Sequence, residues 1–179
     1  MEEWDKVRPK SEVLKWFNMH WLSYTGILIG TFLAMEGITW ATHKYIMHGW
    51  LWYLHEDHHK KTTGFFEKND WFFVIFAIPS FTCILVGTMD SIVWLQAIGF
   101  GVMAYGFAYF IVHDVIIHQR FKWFSRSNNT YVQAIRRAHK MHHKHLNKQD
   151  GESFGMLYVH KKYWEQIRKN QLLRTREEQ

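Results

Sequence analysis

Residues 71–112 read WFFVIFAIPSFTCILVGTMDSIVWLQAIGFGVMAYGFAYFIV, two apolar runs separated by one charged residue, Asp90. The runs cover residues 71–89 and 91–112 and contain no other charge. At 1.5 Å per residue, either run is long enough as a helix to cross a hydrocarbon core about 30 Å thick. The stretch therefore predicts a tight hairpin of two transmembrane helices.

A third apolar stretch, residues 21–42, is less uniform because it contains Glu36. Its length and terminal tryptophans favour a membrane span over a buried core helix. An acid inside a span is costly against lipid, so Glu36 should face the bundle or a polar cavity.

The predicted fold is an all-α integral membrane bundle forming one domain, residues 1–179, with three transmembrane helices. No Gly/Ser-rich or Pro-rich linker divides the chain. Residues 1–20 are charged and amphipathic, and the sequence leaves open whether they add a fourth membrane helix.

Ten of the 13 histidines form two matching sets in which His-xxxx-His is followed by His-xx-His-His. The sets are His43, His48, His55, His58 and His59, and then His113, His118, His139, His142 and His143. Neutral imidazole is a common ligand of first-row transition metals, and ten exceed the needs of one four-coordinate ion. A single histidine is more often a core or surface residue, but the doubled pattern favours a shared site for two metal ions.

Helix geometry supports convergence within each set. Histidines at i, i+3 and i+4 lie on one helix face, as in His55, His58 and His59. The i, i+5 pairs, such as His43 and His48, diverge by about 140° on a regular α-helix. Such a pair either straddles two ions or lies where a helix end or bulge realigns it.

The topology places both histidine sets on one side of the membrane, because they follow the first and third spans. Residues 43–70 and 113–158 are then a histidine-rich helical cap, and residues 159–179 a basic tail. Eighteen of the 22 Lys and Arg residues lie on this side. The positive-inside rule therefore predicts that the cap faces the cytoplasm of the bacterial inner membrane.

The net charge of +6 is concentrated beside a membrane span. Anionic lipid headgroups of the bilayer, or an acidic redox partner, are better counter-charges there than nucleic acid, which we do not expect as a partner.

A two-metal, all-nitrogen site at the membrane boundary suits iron that activates dioxygen to oxidise an unactivated C–H bond of a lipid. Ordinary side chains cannot attack such a bond, so a cofactor must supply the chemistry. Spacing does not identify the ion, and zinc binds nitrogen ligands more tightly and could replace iron in purified protein. A metal-transporting bundle would carry its ligands within the spans.

Glu56, Asp57 and Asp114 are candidates to accept the free N–H of ligand imidazoles. Each could instead be a solvated charge or a salt-bridge partner of Lys60, Lys61 or Arg120.

Five segments closely resemble bacterial β-carotene hydroxylases, which belong to the fatty acid hydroxylase superfamily of membrane di-iron oxygenases. They are ATHKYIMHGWLWYLHEDHH (41–59), FEKND (66–70), HDVIIHQRF (113–121), AHKMHH (138–143) and SFGMLY (153–158). The similarity runs in order over roughly residues 30–158 and is far more specific than the histidine spacing alone.

The resemblance implies hydroxylation of the β-ionone ring at C3, converting β-carotene through β-cryptoxanthin to zeaxanthin. It implies two iron ions held by the ten histidines, dioxygen as co-substrate, and electrons from ferredoxin and its reductase. FEKND and SFGMLY have no ligand chemistry of their own and are expected to shape a loop over the metals or to pack and cap helices. The alternatives are a hydroxylase, desaturase or ketolase of another lipid (fatty acyl, sterol or other carotenoid), or a non-redox metal-binding membrane protein.

Overall fold

The computed structural model describes residues 10–60, 66–145 and 151–177, with side chains from residue 19 onward. The α-helices are α1 (Lys10–Ala41), α2 (Trp52–His59), α3 (Trp71–Met89), α4 (Val93–Tyr109), α5 (Thr130–His142) and α6 (Lys161–Glu177). Two π-helices, Thr42–Trp50 and Phe110–Ile117, continue α1 and α4. Short 3₁₀ turns cover Lys68–Asp70 and Lys122–Phe124. The all-α prediction is confirmed.

Three helical stretches are long and apolar enough to cross a membrane. They are Met19–Trp50, Lys68–Met89 and Val93–Ile117. This agrees with the predicted number of transmembrane helices. Residues 10–20 belong to α1, so the described part of the N-terminal segment continues the first helix and adds no separate one; residues 1–9 lie outside the described chain.

Helix α4 packs against both α3 and α1 through glycines. A Cβ at Gly99 would lie 2.8 Å from the carbonyl oxygen of Ser80 on α3, and a Cβ at Gly101 would lie 2.8 Å from the carbonyl oxygen of Leu28 on α1. The Ser80 hydroxyl also donates a hydrogen bond to the Gly99 carbonyl at 2.8 Å. These close approaches require glycine and fix α4 between its two neighbours.

The cap has its own apolar core, formed where the second π-helix, α5 and α6 meet. Its buried members are Val112, Ile116, Val132, Ala134, Ile135, Ala138, Met156, Val159 and Tyr163. Asn129 caps α5 by accepting hydrogen bonds from the backbone N–H groups of Tyr131 and Val132. The predicted basic tail is helical as α6, which packs on α5; residues 178–179 lie outside the described chain.

Candidate metal centre

His43, His48 and His113 lie on π-helices, where successive turns are closed by i→i+5 hydrogen bonds, and His118 directly follows the second of these helices. The N–H of His118 donates to the carbonyl of His113 at 2.8 Å. The wider turn realigns the two rings, whose centroids are 4.4 Å apart for His113 and His118 and 5.2 Å apart for His43 and His48. Of the two arrangements left open by the sequence, the realigning bulge is the one found.

The structure brings nine of the ten histidines together as two adjacent groups. The five-histidine group contains His43, His48, His55, His59 and His142. The four-histidine group contains His58, His113, His118 and His139. Within each group, one ring nitrogen from every member lies within 4.8 Å of the others, so each group could hold a metal ion.

His143 lies at the boundary between the two groups. Its Nε2 is 2.7 Å from Nε2 of His139, and its ring stacks on His59 with a centroid distance of 4.6 Å. The tenth histidine is thus part of the same cluster, beside the four-histidine group.

Each group takes most of its members from one half of the chain and one member from the other half. His58 of the first set joins the second-set group, and His142 of the second set joins the first-set group. On an α-helix, residue i+4 lies about 40° from residue i, whereas i+3 lies about 60° away on the opposite side. His55 and His59 therefore stay together, and His58 turns toward the other cluster.

Oxygen acceptors hold the outer ring nitrogens of four members of the five-histidine group. The Nδ1–H groups of His43, His59 and His142 donate to backbone carbonyls at 3.1, 2.9 and 2.8 Å. These carbonyls belong to Phe154, His145 and Glu152. His55 donates from Nδ1 to the side-chain oxygen of Asn69 at 2.7 Å.

A neutral imidazole has only one N–H, so these outward donors leave bare lone pairs on the inward Nε2 atoms. Nε2 of His55 lies 3.1 Å from Nε2 of His43 and 3.1 Å from Nε2 of His59. Three lone pairs facing one another at this distance repel unless a cation lies between them. Two nitrogens bound at about 2.1 Å and about 90° to one ion would be about 3.0 Å apart. The donor set therefore fits a metal ion.

Burial keeps these rings neutral, as ligand imidazoles must be. Loss of hydration, chiefly, lowers the pKa of His55 and of His142 to about 2. The same cause lowers the pKa of His143 to about 3 and that of His59 to about 4. The pKa values of buried His58 and His139 also fall well below the usual value.

Carboxylates hold part of the four-histidine group. His58 donates from Nδ1 to Glu67 at 2.6 Å, and His113 lies 3.5 Å from Asp114 through the same atom. Arg120 joins these acids, with its guanidinium 3.4 Å from Glu67, 3.1 Å from Asp114 and 2.9 Å from Asp70. Asp70 in turn accepts the backbone N–H of Glu67. The network fixes both carboxylates beside the imidazoles.

The three acids proposed from the sequence have different environments. Asp114 lies beside His113 as expected, while also pairing with Arg120. Glu56 does not contact a ligand ring, because it points to the exposed face of α2 and pairs with Lys60 there. Asp57 accepts the backbone N–H of Lys68 at 2.7 Å, which ties α2 to the turn that carries Asn69.

FEKND and SFGMLY supply no member of either histidine group, and they contribute hydrogen-bond acceptors that the sequence did not predict. FEKND supplies Glu67 and Asn69, which accept from His58 and His55. SFGMLY supplies the Phe154 carbonyl that accepts from His43. Carboxylate and amide side chains next to histidine motifs were a usable signal for the first segment. A backbone carbonyl has no sequence signature, so the second could not be foreseen.

An apolar cavity of about 1040 Å³ leads from the membrane helices to the histidines. It lies between α1 and α3, with α4 along one side, and its aromatic wall includes Phe72, Phe76 and Phe110. Its lining reaches His43 of the five-histidine group and His113 of the four-histidine group. The volume is near the upper end of ligand pockets, about 300–1,000 Å³, and suits a large apolar molecule.

The family model for fatty acid hydroxylases matches residues 28–167. This range includes the first span from residue 28 onward, the other two spans and both histidine groups. The chain belongs to the fatty acid hydroxylase family, and the resemblance noted in its motifs is confirmed.

The relatives are carotenoid enzymes by name. The chain is 46% identical over 138 residues to the β-carotene hydroxylase of Pseudescherichia vulneris, covering 75% of this chain and 76% of that protein. It is 42% identical over 142 residues to the β-carotene hydroxylase of Pantoea ananas, covering 79% and 80%. A chloroplastic β-carotene hydroxylase of Capsicum annuum is 32% identical over 133 residues, covering 73% of this chain and 42% of that protein. No solved structure matches the chain significantly.

Proposed function

We propose that the chain hydroxylates the β-ionone ring of β-carotene at C3, giving β-cryptoxanthin and then zeaxanthin. The observation that carries this proposal is the convergence of ten imidazoles at the end of an apolar cavity between membrane helices. The names of the bacterial relatives support the choice of substrate.

The metal ligands we propose are all ten histidines. The five-histidine group would hold one iron ion, and the four-histidine group with His143 would hold the other. When bound, the two ions supply the activation of dioxygen that no side chain can provide. The overall reaction converts a C–H bond to C–OH and reduces the second oxygen atom to water with two electrons and two protons.

The protein's part is to bind and orient a rigid hydrocarbon. A carotenoid is about as long as the bilayer core is thick, so it can lie along the spans with one ring at the histidines. The aromatic wall of the cavity excludes water from this ring, which protects the oxidising centre from side reactions. Hydroxylation of the second ring then requires the product of the first step to turn around or rebind.

The electrons would come from an acidic carrier such as ferredoxin, reduced by its reductase. Arg137 and Lys140 are exposed on α5, and exposed Lys144 follows two residues after its end, while His139 and His142 of the same helix are buried. A basic surface directly behind the ligands favours an acidic partner. The Lys and Arg distribution supports a cap on the cytoplasmic side of the bacterial inner membrane, where such carriers reside. Added salt screens the attraction between this basic surface and an acidic carrier protein. It should therefore slow turnover that uses the carrier protein as electron donor more than turnover with a small uncharged reductant.

The test is product analysis in cells that accumulate β-carotene and express the chain. We expect oxygen-dependent formation of β-cryptoxanthin and zeaxanthin, and unchanged carotenoid without oxygen. Altered fatty acyl chains or sterols with unchanged carotenoid would instead support another lipid as substrate. No oxygen-dependent product, despite bound metal, would overturn the proposed enzyme activity. Metal analysis of the purified protein distinguishes iron from substituting zinc.

A further inference from the structure

Glu36 lies inside the first span, seven residues before His43, and its carboxylate is fully engaged. Its two oxygens accept the backbone N–H groups of Met156, Leu157 and Tyr158 at 2.9–3.1 Å. Oε2 also accepts from the hydroxyl of Tyr105 at 2.7 Å. Three successive backbone donors around one carboxylate form an anion-binding nest, which compensates the charge. The expectation that this acid faces the bundle interior is met.

These N–H groups belong to residues 151–159, which we call the strap. The strap has no helix or strand of its own, and its Ser153 has φ 61°, a left-handed conformation that costs energy for a residue other than glycine. Contacts outside the strap therefore hold it in place, and Glu36 supplies the largest number of its hydrogen bonds. The hydroxyl of Tyr131 also donates to the Leu157 carbonyl at 2.8 Å, and Met156 and Val159 are buried in the cap core. A Cβ at Gly155 would lie 3.1 Å from Oε1 of Glu36, so glycine there permits the close approach.

The strap contacts only one of the two clusters through its acceptors. The carbonyls of Glu152 and Phe154 accept from His142 and His43, both in the five-histidine group. The Phe154 ring also packs against His43, with the centroids 5.4 Å apart. The acceptors found for the four-histidine group come from Glu67 and Asp114, which are outside the strap.

We propose that Glu36 is a positioning residue for one metal ion only, the ion of the five-histidine group. It holds the strap, the strap carbonyls hold the rings of His43 and His142, and the rings present Nε2 to the ion. The proposal rests on the two-ion site proposed above. Loss of such an outer partner typically weakens metal binding about 10- to 100-fold, and here that loss should fall on one ion.

The experiment compares the full-length protein with its Glu36→Gln variant in detergent, by iron content and by Co²⁺ titration after chelation. We expect two ions per chain in the unmodified protein. Glu36→Gln should retain one ion at unchanged affinity and bind the other about 10- to 100-fold more weakly. Glu165→Gln, an exposed acid on α6, is the matched control and should bind both ions normally.

Two normal sites in Glu36→Gln would overturn the positioning role, and equal weakening of both ions would overturn its selectivity. If Glu36→Gln does not fold, Gly155→Ala decides the question, because its added methyl group presses on the same carboxylate. Gly155→Ala should weaken one ion, and two normal sites would overturn the proposal. An unmodified protein that binds only one ion would instead refute the two-ion premise, so the two failures are distinguishable.

Discussion

The two histidine groups share a pattern in sequence but differ in what holds their outer nitrogens. In the five-histidine group, the acceptors of His43, His55, His59 and His142 are neutral: three backbone carbonyls and the amide of Asn69. In the four-histidine group, the acceptors found are the carboxylates of Glu67 and Asp114, joined by Arg120. A carboxylate makes its imidazole partner a stronger electron donor than a carbonyl does. Two sites built from one repeated motif are therefore chemically unequal.

This inequality suggests different roles for the two proposed ions. An ion held by electron-rich imidazoles is better stabilised in a higher charge state, and the ion of the other group is better stabilised in a lower one.

Removing adjacent ligands should deplete different ions. His58→Ala and His59→Ala change neighbouring residues of α2 that belong to different groups. Both should abolish carotenoid turnover, because each removes a proposed ligand. Metal analysis should show that His58→Ala mainly loses the ion of the four-histidine group. His59→Ala should mainly lose the ion of the five-histidine group. His160→Ala, outside both groups, is the control; depletion of the same ion by both variants would contradict the crossed arrangement.

Replacing the carboxylate of Glu67 should weaken the four-histidine ion selectively. Glu67→Gln keeps the side-chain size but removes the charge that faces His58. We expect affinity for this ion to fall about 10- to 100-fold and the other affinity to remain unchanged. Co²⁺ titration measures both, with Glu56→Gln as control because that acid pairs with Lys60 on the exposed face of α2. Unchanged binding of both ions would mean that the carboxylate does not support the site.

Acid should release the two ions in sequence. An unfolded imidazole has a pKa of about 6.5, whereas burial lowers the pKa of His59 to about 4. Between pH 6.5 and 4, the unfolded state thus binds more protons than the folded state. The free energy of unfolding therefore has its full value above pH 6.5 and decreases as the pH falls toward 4. His59 should protonate before His143, which lies beside the four-histidine group and whose pKa is lowered to about 3. Metal release followed from pH 8 to 4 should begin with the five-histidine ion, and simultaneous release would contradict this order.

Removing the neutral acceptor Asn69 should have the smallest effect. Asn69→Ala deprives the Nδ1–H of His55 of its partner but changes no charge. In Asn69→Ala, we expect the metal affinity of the five-histidine group to fall. This fall should be smaller than the fall in metal affinity of the four-histidine group in Glu67→Gln, because hydrogen bonds to charged groups are stronger than those to neutral groups. Paired titrations of the two variants test this. A larger loss in Asn69→Ala would reverse the proposed contrast.

Much of this architecture follows from the sequence because it depends on length and spacing. The apolar runs predict the spans, and the doubled histidine pattern predicts convergence of both halves of the chain. The exchange of His58 and His142 between groups also follows from helix angles, although the sequence analysis treated each triad as one unit. The support of the histidines was harder to foresee, because it comes from backbone carbonyls and from Glu67, whose position depends on how the turn after α2 folds.

The exchange of one histidine between halves also sets an order of assembly. The five-histidine group is complete only when His142 has reached it, and that residue is on α5, beyond the third span. A nascent chain that has inserted α1 alone presents four of those imidazoles and lacks the fifth. Completion of the proposed metal site must then wait until all three spans have been inserted into the bilayer, so a truncated or half-inserted chain would lack one ligand of the five-histidine group.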